Sequence, residues 1–547
     1  MQSAFWARPS AFRAGFVVAA AIFAGRAHGQ SSSLPPPGVS ANSNLSSATS
    51  IVVRDFRFRG NTVFTSATLA QVVAPFLNRT INSSDLEEAR SALSQFYVNA
   101  GYINSGAILE DQPLKDGIVT FSVVEGRLSG IHISGNKHLR SRYIQDRLEA
   151  QAGPPLNINA IRDELLDLKN NPNILRINAE LKPGEIPGMS YLDVSVAEAP
   201  MAHASLQMAN DRPTTVGAED LQCSLSVVDL FGFGDALDLR DTPVERTADG
   251  AKFSGTDNFG GAFTVPISVH DGTIQFFYNE SDYAVIQQPF VALGVTSRSE
   301  NWGLTLREPI YKTPHQEVAL GVTVEQRQST TSLLGEPFEF STEAPGGTER
   351  VCALRFFQEW IAHRPTEAFT LRSTVNWGVD ALGATINGTP RDGRFVSWQG
   401  QAQYVRRLWD TPLQLLLGAT GQWSPDPLLY VEQLSLGGMN TVPGYRENLE
   451  LSDLGIIGHL ELRAPIWSSP TGGNYVTLAP FATYGKGWNA DRTPNPPDLP
   501  SAGLGLLLNP CKRVSARIYW GYAFRDFHLH GDPQDFGLHF VVNVSLF

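Results

Sequence analysis

Apolar and polar residues alternate along the C-terminal two thirds of the chain, from residue 201 onward. Segments such as 413–423 and 536–547 carry Leu, Phe or Val at one parity and Gly, Gln, His or Asn at the other. Successive side chains of a strand point to opposite faces, so this pattern predicts strands with one apolar and one polar face. We count about sixteen such segments, and the connections between them are alternately short and long.

An even number of two-faced strands with alternating short turns and long loops is typical of a transmembrane β-barrel. In lipid every backbone amide must be paired within the protein, and a closed barrel achieves this without free edges. A soluble β-sandwich or propeller would explain the strands but not the alternating loop lengths. We therefore expect residues 200–547 to form a sixteen-stranded antiparallel outer-membrane β-barrel, with periplasmic turns and extracellular loops.

Residues 51–199 contain an internal repeat. Each copy opens with a strand-like stretch that ends in a Gly-Asn turn, at Gly60 and Gly135 respectively, and continues with two helical patterns and two further strands. The helical patterns cover residues 66–77, 83–100, 141–151 and 158–170. The order predicts two small α+β modules, residues 51–125 and 126–199.

The first 50 residues resemble an export leader followed by a linker. Residues 1–29 combine Arg8 and Arg13 with an apolar run and small residues, which predicts a secretory signal peptide. Residues 30–50 are rich in Ser, Pro and Asn, which favours a disordered linker without a helix. We expect the protein in the outer membrane of a Gram-negative bacterium. Both modules should be periplasmic, because residue 200 enters the barrel from that side.

The net charge and the absence of catalytic sequence patterns argue against several classes of function. The formal net charge of −12 becomes about −15 once residues 1–29, with three arginines and no acids, are removed, which disfavours nucleic-acid binding. No recognised catalytic, metal-binding or nucleotide-binding pattern occurs in a fitting context, and the three cysteines contain no CxxC pair. His528 and His530 share one strand face, but an exposed polar loop explains them better than a metal site. We expect no enzymatic activity, no cofactor and no metal.

Three segments carry a resemblance to a known family. They are "LGGMNTVPGYREN" (436–448), "SDLGIIGHLELRAP" (452–465) and "DLFGFGDALDL" (229–239). Together they resemble the two-partner secretion transporters of the TpsB type, the haemolysin and haemagglutinin secretion-activation family of the POTRA-plus-barrel superfamily. The resemblance implies that the modules are POTRA 1 and POTRA 2. It also implies that the sixth extracellular loop, residues 424–455 (called the sixth loop below), folds back into the lumen.

The resemblance also places the candidate site. The loop tip of the family reads Val-Arg-Gly-Tyr/Phe, and its arginine reaches an aspartate in an aromatic-x-Asp-x-Gly pattern on the wall. The matching residues here are Gly437, Gly438, Val442, Pro443, Gly444, Tyr445 and Arg446 on the loop, and Phe481, Thr483 and Gly485 on the wall.

Both members of the family's ion pair are therefore replaced, by Pro443 and Thr483. Loss of both charges leaves neither stranded, so the tip is expected to be held by packing and hydrogen bonds. Pro443-Gly444 suits the centre of a type II turn. Arg446 is expected to reach another carboxylate on the wall.

The resemblance implies a pore that recognises an unfolded partner exoprotein through the POTRA modules and carries it to the cell surface without nucleotide hydrolysis. A strand edge or a helix–strand groove would capture the extended chain. The other expected partners are outer-membrane lipid and the barrel-assembly machinery, the latter through Phe547. A barrel-assembly insertase and a passive solute porin remain alternatives.

Overall fold

The computed structural model describes residue 45 and residues 50–113, 116–242, 256–287, 290–341, 343–468, 473–491, 493–529 and 531–547. The predicted signal peptide and nearly all of the predicted linker lie outside these residues. Across the described ranges, no helix combines the length and the apolar character needed to cross a bilayer. The described residues form two compact units, one containing those up to His132 with 148–164 and 178–194, the other containing the remaining described residues.

The first repeat is a small α+β fold. Its elements are β1 (Ile51–Val52), β2 (Asp55–Arg59), α1 (Ser66–Val73), β3 (Thr80–Ile81), α2 (Ser83–Asn99), β4 (Gly106–Ile108) and β5 (Ile118–Val124). The main sheet has the order β2-β5-β4 and packs on both helices around Leu69, Leu93 and Phe121. Helix α1 is shorter than predicted because Pro75 lacks a backbone N–H, and a 3-10 turn replaces its last residues.

The second repeat has the same order of main elements, and its described residues contain no counterparts of the two-residue strands β1 and β3. Its elements are β6 (Arg127–Ser134), α3 (Ser141–Ala152), α4 (Ile158–Asn170), β7 (Ile174–Pro183) and β8 (Met189–Glu198), with the sheet order β6-β8-β7. The Gly-Asn turns are built alike, with φ of +82° at Gly60 and +85° at Gly135. In each copy the backbone N–H groups after the turn donate to a glutamate, Glu125 or Glu198. The two copies of the sequence repeat therefore share the same hydrogen bonds at this turn.

The barrel closes through sixteen long antiparallel strands. They are β9 (Ala202–Ala209), β10 (Asp220–Val228), β11 (Ala236–Thr242), β12 (Thr256–Pro266), β13 (Thr273–Ala284), β14 (Thr296–Thr313), β15 (Gln316–Leu333), β17 (Thr348–Arg364), β18 (Glu367–Val379), β19 (Val396–Arg407), β20 (Gln414–Trp423), β23 (Leu454–Ser468), β24 (Asn474–Trp488), β25 (Leu499–Cys511), β26 (Val514–Ala523) and β27 (Leu538–Ser545). Strand β27 pairs with β9 and completes the ring. A two-residue strand, β16 (Glu336–Pro337), extends the β15 edge.

The two faces of the barrel differ as the alternation predicts. On β24, Ala479, Phe481 and Thr483 are buried, whereas Pro480 and Tyr484 are exposed. The exposed face also carries eight tryptophans, 37% to 65% exposed, at 302, 360, 377, 398, 423, 467, 488 and 520. Exposed aromatic side chains on the outer face suit the interfaces of a bilayer.

Strand ends differ from the sequence pattern at two places. Strands β14, β15 and β17 have 18, 18 and 17 residues and are longer than the alternating segments 298–309, 316–328 and 350–361 predict. The β14–β15 ladder continues as far as Ser332, which also pairs with β16. Strand β27 begins at Leu538 rather than at residue 536. Asp532 caps a 3-10 turn there, and left-handed Gly537 (φ +74°) ends it.

Candidate functional site

The sixth loop connects β20 to β23. It contains a 3-10 turn (Tyr430–Glu432) and a small hairpin formed by β21 (Leu434–Leu436) and β22 (Glu450–Ser452). A further bridge between Gly438 and Val442 narrows the loop toward its tip. The loop is therefore an ordered structure, and its tip has a defined shape.

The tip is a tight turn buried against the wall. Val442 O accepts a hydrogen bond from Tyr445 N at 3.4 Å, and Gly444 has φ +109°, the geometry of a type II turn. Val442 and Tyr445 are 0% and 3% exposed and pack in a cluster with Leu499. The Tyr445 hydroxyl also donates to Pro500 O at 2.8 Å. Both apolar burial and hydrogen bonding hold the turn.

A short hydrogen-bonded chain joins Thr483 to the tip. Ser501 Oγ donates to Pro443 O at 2.5 Å, and Thr483 Oγ1 lies 2.6 Å from Ser501 Oγ. Since the Ser501 proton is used on Pro443, Thr483 is the donor in the second bond. Thr483 therefore acts on the tip through Ser501 and not directly. These hydrogen bonds between uncharged groups lie where the resemblance led us to look for an ion pair.

Two wall glycines allow this close approach. A Cβ at Gly521 would lie 2.6 Å from Pro443 O, and a Cβ at Gly485 would lie 2.8 Å from Val442 Cγ2. On the next strand, His539 Nε2 accepts a hydrogen bond from Gly444 N at 3.3 Å. The tip therefore contacts buried, inward-facing residues of β24, β25, β26 and β27. The tip lies in the barrel lumen.

Gly521→Ala is expected to displace the tip, because one inserted methyl group in a closed contact costs about 1–3 kcal/mol. The measurement is disulfide formation between cysteines placed at 442 and 485, in a chain whose three native cysteines are replaced. Crosslinking should fall several-fold relative to the parent. Gly458→Ala is the matched control, because a Cβ at this β23 glycine meets nothing within 4 Å. Equal crosslinking in both variants would contradict the assigned contact.

The other predicted loop residues lie on either side of the turn and fix its position. Gly437 and Gly438 have φ of +103° and +98°, a region that L side chains rarely adopt. Arg446 forms an ion pair with Asp535, with Nη2 at 2.9 Å from Oδ2. Asp535 belongs to the 3-10 turn before β27. The sequence had led us to expect a partner for Arg446 on the barrel wall. The partner is instead on a neighbouring loop. Phe481, by contrast, packs within the wall against Tyr519.

The buried carboxyl of Glu447 should make the docking of the sixth loop against the barrel wall depend on pH. Burial raises the pKa of its carboxyl to about 8; the hydrogen bond from Met439 N opposes the rise and Asp211 adds to it. A carboxyl with a raised pKa in the docked loop stabilises docking fully below its ordinary value of 4.5, and this contribution is lost as the pH rises through 8. The open fraction in planar bilayers should rise between about pH 5 and pH 9, and Glu447→Gln should remove this dependence. A parent channel with a flat or falling profile would contradict the assignment.

The structure adds residues that the sequence reasoning missed. Asp453, 0% exposed, accepts from Arg391 Nη1 at 2.9 Å and from Leu428 N and Ala490 N at 3.0 Å each. It thereby joins both arms of the sixth loop to the loops before β19 and after β24. Ser501, Gly521, His539 and Glu432 were also missed. Ser501, Gly521 and His539 lie at the interior-facing positions of their strands, where polar and small residues are usual in a barrel, so the sequence does not single them out. Glu432 and Asp453 lie in the sixth loop, where no strand pattern applies.

A closed sixteen-stranded barrel with a loop folded into its lumen, preceded by repeated α+β modules, defines an outer-membrane transporter of the POTRA-plus-barrel class. A family model described as haemolysin secretion/activation protein ShlB/FhaC/HecB matches residues 188–508, and a model described as POTRA domain, ShlB-type, matches residues 51–126. The chain belongs to this haemolysin secretion/activation family. It is an outer-membrane two-partner secretion transporter with periplasmic POTRA structure, and such transporters work with a secreted exoprotein.

Named relatives support the same assignment. The chain is 24% identical over 437 residues to the outer membrane transporter CdiB of Dickeya dadantii, covering 78% of this chain and 75% of that protein. It is 24% identical to the hemolysin transporter protein ShlB of Serratia marcescens, covering 69% and 65%. The fold is similar to CdiB from Escherichia coli, with a TM-score of 0.70, 23% identity and coverage of 93% of each chain. BamA from Haemophilus ducreyi shares the fold more distantly, with a TM-score of 0.54, 12% identity and coverage of 90% of this chain and 100% of that one.

Proposed function

We propose that POTRA 1 captures the unfolded partner exoprotein and that the barrel carries it to the cell surface without nucleotide hydrolysis. We assign residues 51–125 and 126–199 to the two POTRA modules and residues 200–547 to the barrel. The observation that carries the proposal is an apolar cleft beside a sheet edge in POTRA 1. The cleft measures about 230 Å³, and its lining includes Ile81, Leu86 and Leu109.

The cleft and the edge suit an extended chain. Strand β4 is the last strand of the order β2-β5-β4, so one side of its backbone has no neighbour in that sheet. Leu109 follows β4 directly, and Ile108 is 40% exposed. The outward-facing N–H and C=O of Ala107 in β4 are bonded to Ser94 and Arg90 of α2, so an extended chain would bind chiefly by burying alternate side chains in the cleft. Recognition of this kind requires that the bound segment of the exoprotein be unfolded and that its apolar and polar side chains alternate.

Passage through the lumen requires the sixth loop to move. The tip is held by neutral hydrogen bonds, which contribute about 0.5–1.5 kcal/mol each, together with packing. A moving exoprotein can replace such contacts one at a time. Folding of the exoprotein outside the cell would supply the free energy for transport. Membrane insertion of the transporter itself would use outer-membrane lipid on the apolar face and recognition of Phe547, which follows β27, by the barrel-assembly machinery.

The test uses full-length transporter in liposomes without nucleotide. The passenger is a candidate exoprotein partner diluted from urea, and the readout is its protection from added protease. Protection should occur without ATP and fall several-fold in Leu109→Asp, which places a charge in the cleft. Ile103→Asp, at an exposed position of the same module outside the cleft lining, is the matched control. Protection that needs ATP, or that is equal in both variants, would contradict the proposal.

A further inference from the structure

The sixth loop spans the lumen from one wall to the other. Its tip contacts β24 to β27, the thirteenth to sixteenth strands around the ring. Its 3-10 turn contacts β15 and β17, the seventh and eighth strands. In a closed ring of sixteen strands these two groups lie on opposite sides. The loop therefore has two separate attachments to the wall.

The attachment opposite the tip is an ion pair. Glu432, at the end of the 3-10 turn, is 8% exposed. Its Oε1 lies 2.7 Å from Arg355 Nη2 and its Oε2 lies 3.0 Å from Arg355 Nη1. Two parallel bonds between a guanidinium and a carboxylate fix orientation as well as distance. Arg355 belongs to β17, so the pair joins the loop to the barrel itself.

Neighbouring charges complete the group. Arg355 also donates to Glu325 on β15, and Arg327 Nε donates to Glu325 Oε1 at 2.9 Å. Arg327 Nη1 donates to Val431 O at 3.2 Å and lies 3.5 Å from Glu432. Two carboxylates and two guanidinium groups give no formal net charge. Because the group is largely removed from solvent, loss of a single member leaves an uncompensated charge.

The other ion pairs of the loop have a different kind of partner. Arg446 pairs with Asp535 and Asp453 pairs with Arg391, and both partners lie on loops. Among the described residues, the ion pairs between the sixth loop and a barrel strand all run through Glu432. Loops can move together, whereas the strands are fixed by their hydrogen-bonded ladder. Glu432 is the charged contact that must break when the loop leaves the wall.

We propose that the bidentate pair between Glu432 and Arg355 is a latch that keeps the sixth loop across the lumen and so keeps the pore closed. Glu432 is a positioning residue, since it acts on the path of the exoprotein through the loop. The inference rests on the proposed function in one respect, that transport requires this loop to move. Whether the latch holds the pore closed can be measured without any exoprotein.

The experiment records conductance of full-length channels in planar bilayers. Glu432→Gln keeps the shape of the side chain and removes its charge, so we expect the open fraction to rise at least tenfold. Arg355→Gln should raise it as well. Asp426→Asn is the matched control, because Asp426 is an exposed acid of the same loop with no ion pair in the part of the chain described here. It should leave the open fraction unchanged.

The double variant Glu432→Gln/Arg355→Gln separates a latch from a general role in stability. It leaves Glu325 and Arg327 paired, so the group is neutral again, and its heat-modifiable band on gels should recover toward the parent. The open fraction should remain as high as in the single variants. A double variant that closes again, or a folded Glu432→Gln channel as closed as Asp426→Asn, would overturn the latch. If the conductance changes occur as expected but the parent channel transports no exoprotein, the latch stands and the proposed function alone is contradicted.

Discussion

Pro443→Arg alone is expected to release the tip of the sixth loop from the wall. The position is buried beside Ser501 and Gly521, and Thr483 offers no carboxylate there. An arginine would be a desolvated charge without a partner, at a cost of about 3–5 kcal/mol. The substitution also removes the ring that presets φ for the turn. Disulfide formation between cysteines at 442 and 485 should fall strongly, and the open fraction in bilayers should rise.

The double variant Pro443→Arg/Thr483→Asp is the control. It introduces the pair found in the family, so the new arginine has a partner and crosslinking should recover in large part. Thr483→Asp alone should be destabilising like Pro443→Arg, since it strands the opposite charge. If Pro443→Arg alone crosslinks as well as the parent, the tip is not held as the structure indicates, and the neutral chain through Ser501 is not its main attachment.

Asp453→Ala is expected to loosen three extracellular loops at once. The change leaves Arg391, whose side chain is 9% exposed, with Asp491 as its remaining ion-pair partner. It also removes the acceptor for the backbone N–H groups of Leu428 and Ala490. Each buried donor left without an acceptor costs about 1–3 kcal/mol. Protease added to intact cells should then cut within the sixth loop at a rate higher by tenfold or more.

Asp426→Ala is the matched control for this measurement, because it removes an exposed carboxylate from the same loop. Its cleavage rate should equal that of the parent. Asp453→Asn should fall between the two, since an amide retains one acceptor oxygen but not the charge. Protection that is unchanged in Asp453→Ala would show that the loops are held by other contacts, such as the cluster around Val442 and Leu499.

Much of the fold was predictable because its determinants are local. Helices α2 and α4 agree with their patterns within a residue, and the capping box of Asn82 and Asp85 explains where α2 begins. Barrel strands were recognisable from alternation alone. Local signals also explain two deviations. Pro75 shortens α1, and the cap of Asp532 delays the start of β27.

The candidate site was predictable in its position but not in its chemistry. The segment from Gly437 to Arg446 could be placed at the tip because it resembles a family pattern. Its contacts could not be placed, since Ser501 and His539 are unremarkable in the sequence. The same holds for Thr483, which proves to act through a neighbouring hydroxyl.

The sequence by itself determined that the chain has a two-faced strand repeat, which in lipid must close into a barrel, and a duplicated α+β module before it. Those properties follow from periodicity and from the requirement that each backbone amide be paired. Only the tertiary structure decided which charges hold the loop across the lumen. Glu432 meets Arg355 across 77 residues, Asp453 meets Arg391 across 62, and Arg446 meets Asp535 across 89. No local pattern encodes such pairs, because closure of the ring is what brings their strands and loops together.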